Sequence, residues 1–350
     1  MSMGQARKYR AAIVGCGRIA SDFDDDLKMQ KNYGISTHAG AYADNSHVEL
    51  VAAADISQEK LDKFGKRWGV SKLYRDYKEL LAKENIDILS ICTWNTTHLA
   101  ILEEAVKAKV KAIFCEKPIS NTLVNADKMV QIAHDRRIPV FINHRRRWDD
   151  LYIKLQEFIR QGGLGQIQQV SCYYNAGIAN TGCHLFDVLR MLFGEAKAVT
   201  AWRKDGAVQQ DPNMDGYIIF ENNVTVAIQS LDAKNYLVFE FDIYGSKGRL
   251  RVEYNGFQLN YWRAVDSSRY AGFKELALEV SPIALSKPAM FKNAVKNIVD
   301  CLQDQAPPAC SGEDGVKALE IISAFHLSAS AGSKAIGLPL VDRTYNIESK

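Results

Sequence analysis

The sequence predicts two domains of different class: an N-terminal doubly wound parallel sheet of α/β type, and a C-terminal α+β domain on an open, mostly antiparallel sheet. Three observations carry this. Strand-like and helix-like apolar patterns alternate through residues 1–143, a glycine-rich turn follows the first strand, and after residue 144 the apolar period switches to two. At 350 residues the chain exceeds the size at which single cores stop growing, so a division into 1–143 and 144–350 is natural.

Composition narrows the function classes. Hydrophobic residues at 47% and charged residues at 24% describe an ordinary globular protein, and a net charge of +3 gives no reason to invoke nucleic acid. The one dense basic run, Arg145-Arg146-Arg147, is followed at once by Trp148, Asp149 and Asp150. Seven cysteines lack Cys-x-x-Cys spacing and sit mostly in apolar segments, so reduced, buried thiols are expected and no metal site is. The N-terminus has no secretory apolar region and no apolar run is long enough to span a membrane, so the expected location is cytoplasmic.

In chain order, Tyr9 to Val14 reads as a buried strand feeding Gly15-Cys16-Gly17-Arg18-Ile19-Ala20, a Gly-x-Gly-x-x-Ala match of the Rossmann kind. Gly15 permits a tight turn, Gly17 lets backbone N–H groups approach a pyrophosphate, and Ala20 lets the next element pack on the sheet. Ser21 to Ser36, with Asp22, Asp24, Asp25 and Asp26, is too polar for a core helix and reads as an inserted loop, with a helix resuming at Thr37. The strand Val48 to Ala54 ends in Asp55, which can accept from adenosine ribose hydroxyls and repel a 2'-phosphate, pointing to NAD rather than NADP.

Leu61 to Trp68 and Tyr77 to Lys83 are helical in composition, with a short strand at Val70 to Tyr74. Ile86 to Cys92 is the next strand, and Thr93, Asn95 and His98 after it would stand beside the cofactor. Thr96 or Thr97 can cap a helix from Leu99 to Ala108. His98 has no acid partner in sequence and reads as structural rather than as a proton carrier. Val110 to Cys115 is a strand that ends in Glu116-Lys117-Pro118, where proline stops pairing and places Lys117 at the carboxyl end as a candidate catalytic cation. Leu123 to Asp135 and Ile138 to Ile142 complete the alternation.

A helix from Tyr152 to Arg160 ends at Gly162-Gly163, and period-two strands follow at Val224 to Gln229, Leu237 to Tyr244 and Arg249 to Tyr254. Met290 to Gln303 and Gly315 to Ser330 are late helices. The informative stretch of this half runs from Asn180 to Gly194: Thr181 can cap a helix from Cys183 to Phe193, and His184 and Asp187, three apart, share a face. His184 is then either a base for an alcohol proton or a capping histidine paired structurally with Asp187.

Together these residues resemble the Gfo/Idh/MocA family of oxidoreductases. The resemblance rests on Gly15-x-Gly17-x-x-Ala20, Glu116-Lys117-Pro118 after a strand, Gly182-x-His184-x-x-Asp187 opening a helix, and Gly312-Glu313-Asp314-Gly315 before the last helix. Arg147-Trp148 resembles the family's step into its second domain, and Ala329 to Pro339 its closing segment. The resemblance implies hydride transfer between NAD and a secondary alcohol of a sugar, cyclitol or nucleotide sugar. Lys117 would polarise the reacting oxygen, His184 would take the hydroxyl proton, and Glu116 would position Lys117 or the nicotinamide. It also implies substrate contacts from Asn180, Thr181, Arg147 and Asp187, and a homodimer or homotetramer. One departure stands out: the family commonly has aspartate where this chain has Asn180, four residues before the histidine. Two other readings fit the same motifs, a sugar-sensing regulator that binds dinucleotide without turnover and an NAD-dependent glycoside hydrolase.

Overall fold

A computed structural model describes residues 8–204 and 211–347, which cluster into two compact units, each described by itself. Among the described residues, the first comprises 8–149 and Lys287–Val316, the second those of 150–286 and 317–347. The segment Lys287–Val316, which a single boundary at residue 143 assigns to the second domain, thus groups with the first.

The first unit begins with β1 (Tyr9–Val14), whose last four residues are fully covered. The insertion after it is not an irregular loop: it holds a 3-10 turn, Asp22–Asp25, and a helix, α1 (Leu27–Tyr33), capped by the Asp26 carboxylate, which accepts from the Lys28 and Met29 amides. Then come α2 (His38–Asp44), capped by Thr37, β2 (Val48–Ala54), α3 (Gln58–Trp68), β3 (Lys72–Tyr74) and α4 (Tyr77–Lys83). β4 (Ile88–Ile91), α5 (His98–Lys107), β5 (Ala112–Cys115), α6 (Leu123–Asp135) and β6 (Val140–Ile142) follow. The six strands order as β3-β2-β1-β4-β5-β6, all parallel. Strand order reverses between β1 and β4, and at such a switch point the carboxyl ends of the strands leave a crevice that binds ligands.

Thr97 occupies the N-cap position of α5 but, contrary to expectation, its side chain accepts from none of the helix amides. Its hydroxyl donates to the Trp94 carbonyl at 2.8 Å, and the helix begins one residue earlier, at His98.

The second unit opens with α7 (Asp150–Arg160) and β7 (Ile167–Tyr174). A π-helical turn, Ile178–Gly182, leads straight into α8 (Cys183–Phe193). Thr181 therefore lies inside that turn rather than at an N-cap, and its amide donates to the Gly177 carbonyl at 3.0 Å. β8 (Ala196–Arg203), β9 (Met214–Phe220), β10 (Thr225–Ser230), β11 (Phe239–Gly245), β12 (Gly248–Glu253), β13 (Gln258–Asp266) and β14 (Lys274–Glu279) supply most of the second sheet. The chain closes with α9 (Met290–Leu302), α10 (Gly312–Ser330) and β15 (Ile336–Gly337).

Among the described residues the second sheet orders as β14-β13-β12-β11-β7-β10-β9-β8-β15, with only β7 and β10 parallel. Its strands bury alternate residues: Phe239, Phe241 and Ile243 of β11 are covered, while Tyr217 and Ile219 of β9 are exposed. One face packs and the other is open, as the period-two pattern requires. No helix among the described residues is long and apolar enough to cross a membrane.

Candidate functional site

The glycine loop lies at the carboxyl end of β1, against the start of the segment after β4. Gly15 has φ +93°, and a Cβ there would stand 2.6 Å from the Cys92 carbonyl oxygen and 3.1 Å from the Thr93 methyl, so the position requires glycine. A Cβ on Gly17 would meet no atom within 4 Å, leaving that side of the loop open to a ligand. The Ser21 amide donates to the Gly17 carbonyl at 3.0 Å, so the loop turns at once into a helical first turn, and Ala20 is fully buried behind it. This arrangement fits a dinucleotide pyrophosphate.

Asp55 stands at the end of β2. One carboxylate oxygen accepts from the Cys16 amide at 2.8 Å and the other from the Ser57 amide at 2.9 Å, which aims the group along the loop while each oxygen keeps a second lone pair. Cys16 contributes only backbone: its thiol is buried, and burial first, then the charge of Asp55, pushes its pKa well up. Arg18 is exposed and its guanidinium lies 4.6 Å over the Phe23 ring, while Ile19 is half-buried and its carbonyl accepts from the His38 amide.

The insertion is closed by one buried acid. Asp24 accepts from the Ser36 amide at 2.7 Å and from the Thr37 hydroxyl, next to the start of α2. Outside it, Lys63 meets Asp22 and Asp25 at 2.8 and 3.2 Å, Arg67 pairs with Asp25, and the Trp68 indole donates to the Ser21 hydroxyl at 2.9 Å.

At the end of β5, Lys117 is half-buried and Glu116 is 7% exposed. Glu116 Oε1 accepts from His38 Nε2 at 3.0 Å and Asn143 Nδ2 at 2.6 Å, and Oε2 lies 3.3 Å from the Lys117 amide. Burial alone would raise the carboxyl's pKa, but the hydrogen bond from His38, the charge of Lys117 and the hydrogen bond from Asn143 outweigh it and hold it below the ordinary range. His38, fully buried, was not among the residues the sequence singled out. Its only sequence signal is a histidine one residue after a Thr N-cap, at the point where the interrupted helix resumes.

Two residues expected beside the cofactor are instead spent on the fold. His98 is fully buried, with Nδ1 and Nε2 each 3.0 Å from the carbonyls of Ile119 and Thr93, and burial lowers its pKa. A ring enclosed in this way offers no edge to a cofactor. Asn95 is 3% exposed and directs its amide to the Ser120 carbonyl at 3.3 Å. Thr93 is half-buried beside Gly15, its hydroxyl 2.7 Å from that of Thr97.

Arg147, expected at the substrate, forms an ion pair with Asp314 at 3.0 Å within the first unit. Asp314 also accepts from the Ser311 amide at 3.0 Å, so the Gly312-Glu313-Asp314-Gly315 stretch is a docking point for this arginine.

In the second unit His184 is half-buried in the first turn of α8. Asp187 is wholly buried, with the Arg190 guanidinium 3.8 Å away. Burial and the neighbouring Arg190 cation suit a structural acid rather than the substrate contact expected of Asp187. Asn180 donates to the Ala176 carbonyl at 3.1 Å, and its amide, with that of Ala179, is held by the Asp211 carboxylate at 2.9 and 2.8 Å.

Two family models match the chain: an oxidoreductase family, NAD-binding Rossmann fold (GFO_IDH_MocA), over residues 9–144, and that family's C-terminal alpha/beta domain over residues 177–338. Among curated relatives, a D-apiose dehydrogenase of Paraburkholderia graminis is 25% identical, the match covering 93% of this chain and 89% of the relative. A myo-inositol 2-dehydrogenase of Thermotoga maritima is 26% identical, covering 89% and 93%. Among solved structures, the WlbA dehydrogenase of Bordetella pertussis in complex with NADH and UDP-GlcNAcA superposes with a TM-score of 0.77 at 22% identity, over 95% of this chain and 100% of that one.

Proposed function

The chain belongs to the Gfo/Idh/MocA oxidoreductase family, and from that premise we propose that it is an NAD-dependent dehydrogenase acting on a secondary alcohol of a sugar, cyclitol or nucleotide sugar. The observation that carries this reading is Lys117, standing at the carboxyl end of β5 beside a buried, ionised Glu116, in the sheet whose β1 end presents a loop shaped for a dinucleotide.

Bound to that loop, NAD supplies a hydride acceptor. The protein's part is to place the alcohol and manage its proton. The Lys117 ammonium donates to the reacting oxygen and stabilises the negative charge that develops there. His184 takes the hydroxyl proton as the carbon–hydrogen bond is lost and returns it in the reverse direction. Asp55 holds the adenosine ribose through its free lone pairs, and Gly15, Gly17 and Ala20 let the backbone approach the pyrophosphate. Asn180 and Thr181, half-buried in the turn before α8, are the substrate contacts that this reading retains.

The unit on the parallel sheet is thus the cofactor part and the unit on the antiparallel sheet the substrate part. The open face of the latter carries Trp202, Tyr217 and Ile219, each more than a third exposed, with the rings of Trp202 and Tyr217 5.9 Å apart. We assign that face to a homo-oligomer contact, checked by light scattering, and place the reduced-thiol protein in the cytoplasm.

The test is incubation with NAD and a panel of sugars, cyclitols and nucleotide sugars. Absorbance growth at 340 nm with at least one supports the reading. NADH binding with no turnover on any of them would turn it toward a dinucleotide-binding regulator.

A further inference from the structure

Five buried polar side chains beneath Glu-Lys-Pro form one hydrogen-bonded chain whose direction can be assigned. Tyr42 and His38 come from α2, Ser90 from β4, Glu116 from the end of β5 and Asn143 from the end of β6. The Tyr42 phenol is 2.7 Å from Ser90 Oγ, which is 2.9 Å from His38 Nδ1, and His38 Nε2 is 3.0 Å from Glu116 Oε1. The His38 ring packs against Phe114 and Phe291, with centroids 4.3 and 5.4 Å away, and its two nitrogens make the polar contacts.

An ionised carboxylate only accepts, so His38 Nε2 carries a hydrogen. The buried Tyr42 phenol, its pKa pushed up chiefly by burial, stays a donor, and Ser90 is its hydrogen-bond partner. Ser90 therefore accepts from Tyr42 and gives its own hydrogen to His38 Nδ1. Every proton in the run from Tyr42 through Ser90 and His38 then points toward Glu116. A doubly protonated ring would leave one hydroxyl hydrogen of the Ser90–Tyr42 pair without its acceptor in this chain, at a cost of about 1–3 kcal/mol.

We propose that His38 is a positioning residue for hydride transfer: backed by Ser90 and Tyr42, it fixes the Glu116 carboxylate in one orientation, and through it the placement of Lys117. His38 itself touches neither substrate nor cofactor. The proposal rests on the reading of Lys117 as the residue that meets the reacting oxygen. The fixed carboxylate has one oxygen committed to His38 and Asn143 and the other turned to the Lys117 amide, so loss of His38 frees it to rotate and to take up a proton. Among the described residues, the other titratable groups that act on or feel Glu116 include Lys117, the thiols of Cys92 and Cys115, which burial keeps protonated, and His98, which burial keeps neutral.

The experiment compares His38→Ala, Tyr42→Phe, Glu116→Gln and the His38→Ala/Glu116→Gln double variant in the full chain. NADH affinity is read by fluorescence, the kcat pH profile with NAD and myo-inositol or D-apiose, and the His38 ring by 15N NMR of the wild type. His38→Ala and Glu116→Gln are each expected to lower kcat about tenfold or more, with NADH affinity within about threefold of wild type. The double variant should be no worse than the poorer single one. The acid limb of the kcat profile should move to higher pH in His38→Ala, and Tyr42→Phe, which removes one oxygen from a preserved core, should move it the same way by less. The NMR spectrum should show the Nε2–H tautomer.

Additive losses, an unmoved acid limb, or an Nδ1–H or doubly protonated ring would each overturn the proposal. Because the NMR result needs no substrate, it decides the hydrogen-bond assignment even if neither probe alcohol turns over. Full activity in Lys117→Met would instead defeat the underlying reading of the site while leaving the tautomer result intact.

Discussion

Asp55 Oδ2 accepts from the backbone amide of Cys16 at 2.8 Å, tying the end of β2 to the glycine loop at the end of β1. The acid proposed to face the ribose is therefore also the brace of the glycine loop. Asp55→Ala should lower affinity for both dinucleotides, because the loop loses its brace. NAD should lose more, by about tenfold relative to NADP, because the repulsion of a 2'-phosphate goes with the carboxylate. Titrating both by fluorescence checks this, and equal losses would remove Asp55 from cofactor selection.

Gly15→Ala should be costly through the backbone rather than through any lost contact. A φ of +93° and a carbonyl oxygen 2.6 Å from the new methyl cannot both be accommodated, and a loss of about 2 kcal/mol with abolished NADH binding is expected. Urea unfolding and NADH titration read the two effects. A variant that binds NADH normally would show that the loop relaxes.

The insertion is held by burial, not by its surface charges. Asp24→Ala leaves the Ser36 amide and the Thr37 hydroxyl without their acceptor and should destabilise by about 1–3 kcal/mol. Lys63→Ala removes ion pairs that are more than half exposed on the lysine side and should cost under about 1 kcal/mol. The order of the two urea midpoints decides, and a larger effect from Lys63 would reverse the assignment.

His326 predicts the sign of one pH effect. Burial, and then the charge of Arg203, lowers its pKa to about 4 from an ordinary value near 6.5. Between those values the unfolded chain binds the proton and the folded chain does not, so stability is full above about pH 6.5 and falls as pH drops toward 4, by about 3 kcal/mol for this group. His326→Phe, which keeps a ring against Tyr345, should lose that part of the acid sensitivity. Identical pH slopes for the two proteins would contradict the assignment.

The alternating first half was legible because parallel strands are apolar runs and their ends carry recognisable residues: β1, β2, α4 and α6 begin and end where the pattern places them. The period-two strands of the second half were legible for the same reason. What the pattern could not carry was long-range partnership. Asp187 and Arg147 have the right residue types for a substrate, yet partners at Arg190 and Asp314 occupy them, and the second lies far along the chain. The insertion looked irregular because four aspartates mask its design, although Asp26 is an N-cap and Asp24 a buried acceptor. The grouping of Lys287–Val316 with the first unit is a tertiary preference that local periodicity does not encode.

Single-turnover hydride transfer by Lys117→Met at saturating NAD tests directly whether Lys117 meets the reacting oxygen. Methionine keeps the length and apolar stem of the side chain and removes only the cation. NADH affinity is expected to stay within about threefold while the hydride-transfer rate falls by about a thousandfold or more. A variant that binds NADH normally and transfers hydride at the wild-type rate would contradict that role of Lys117.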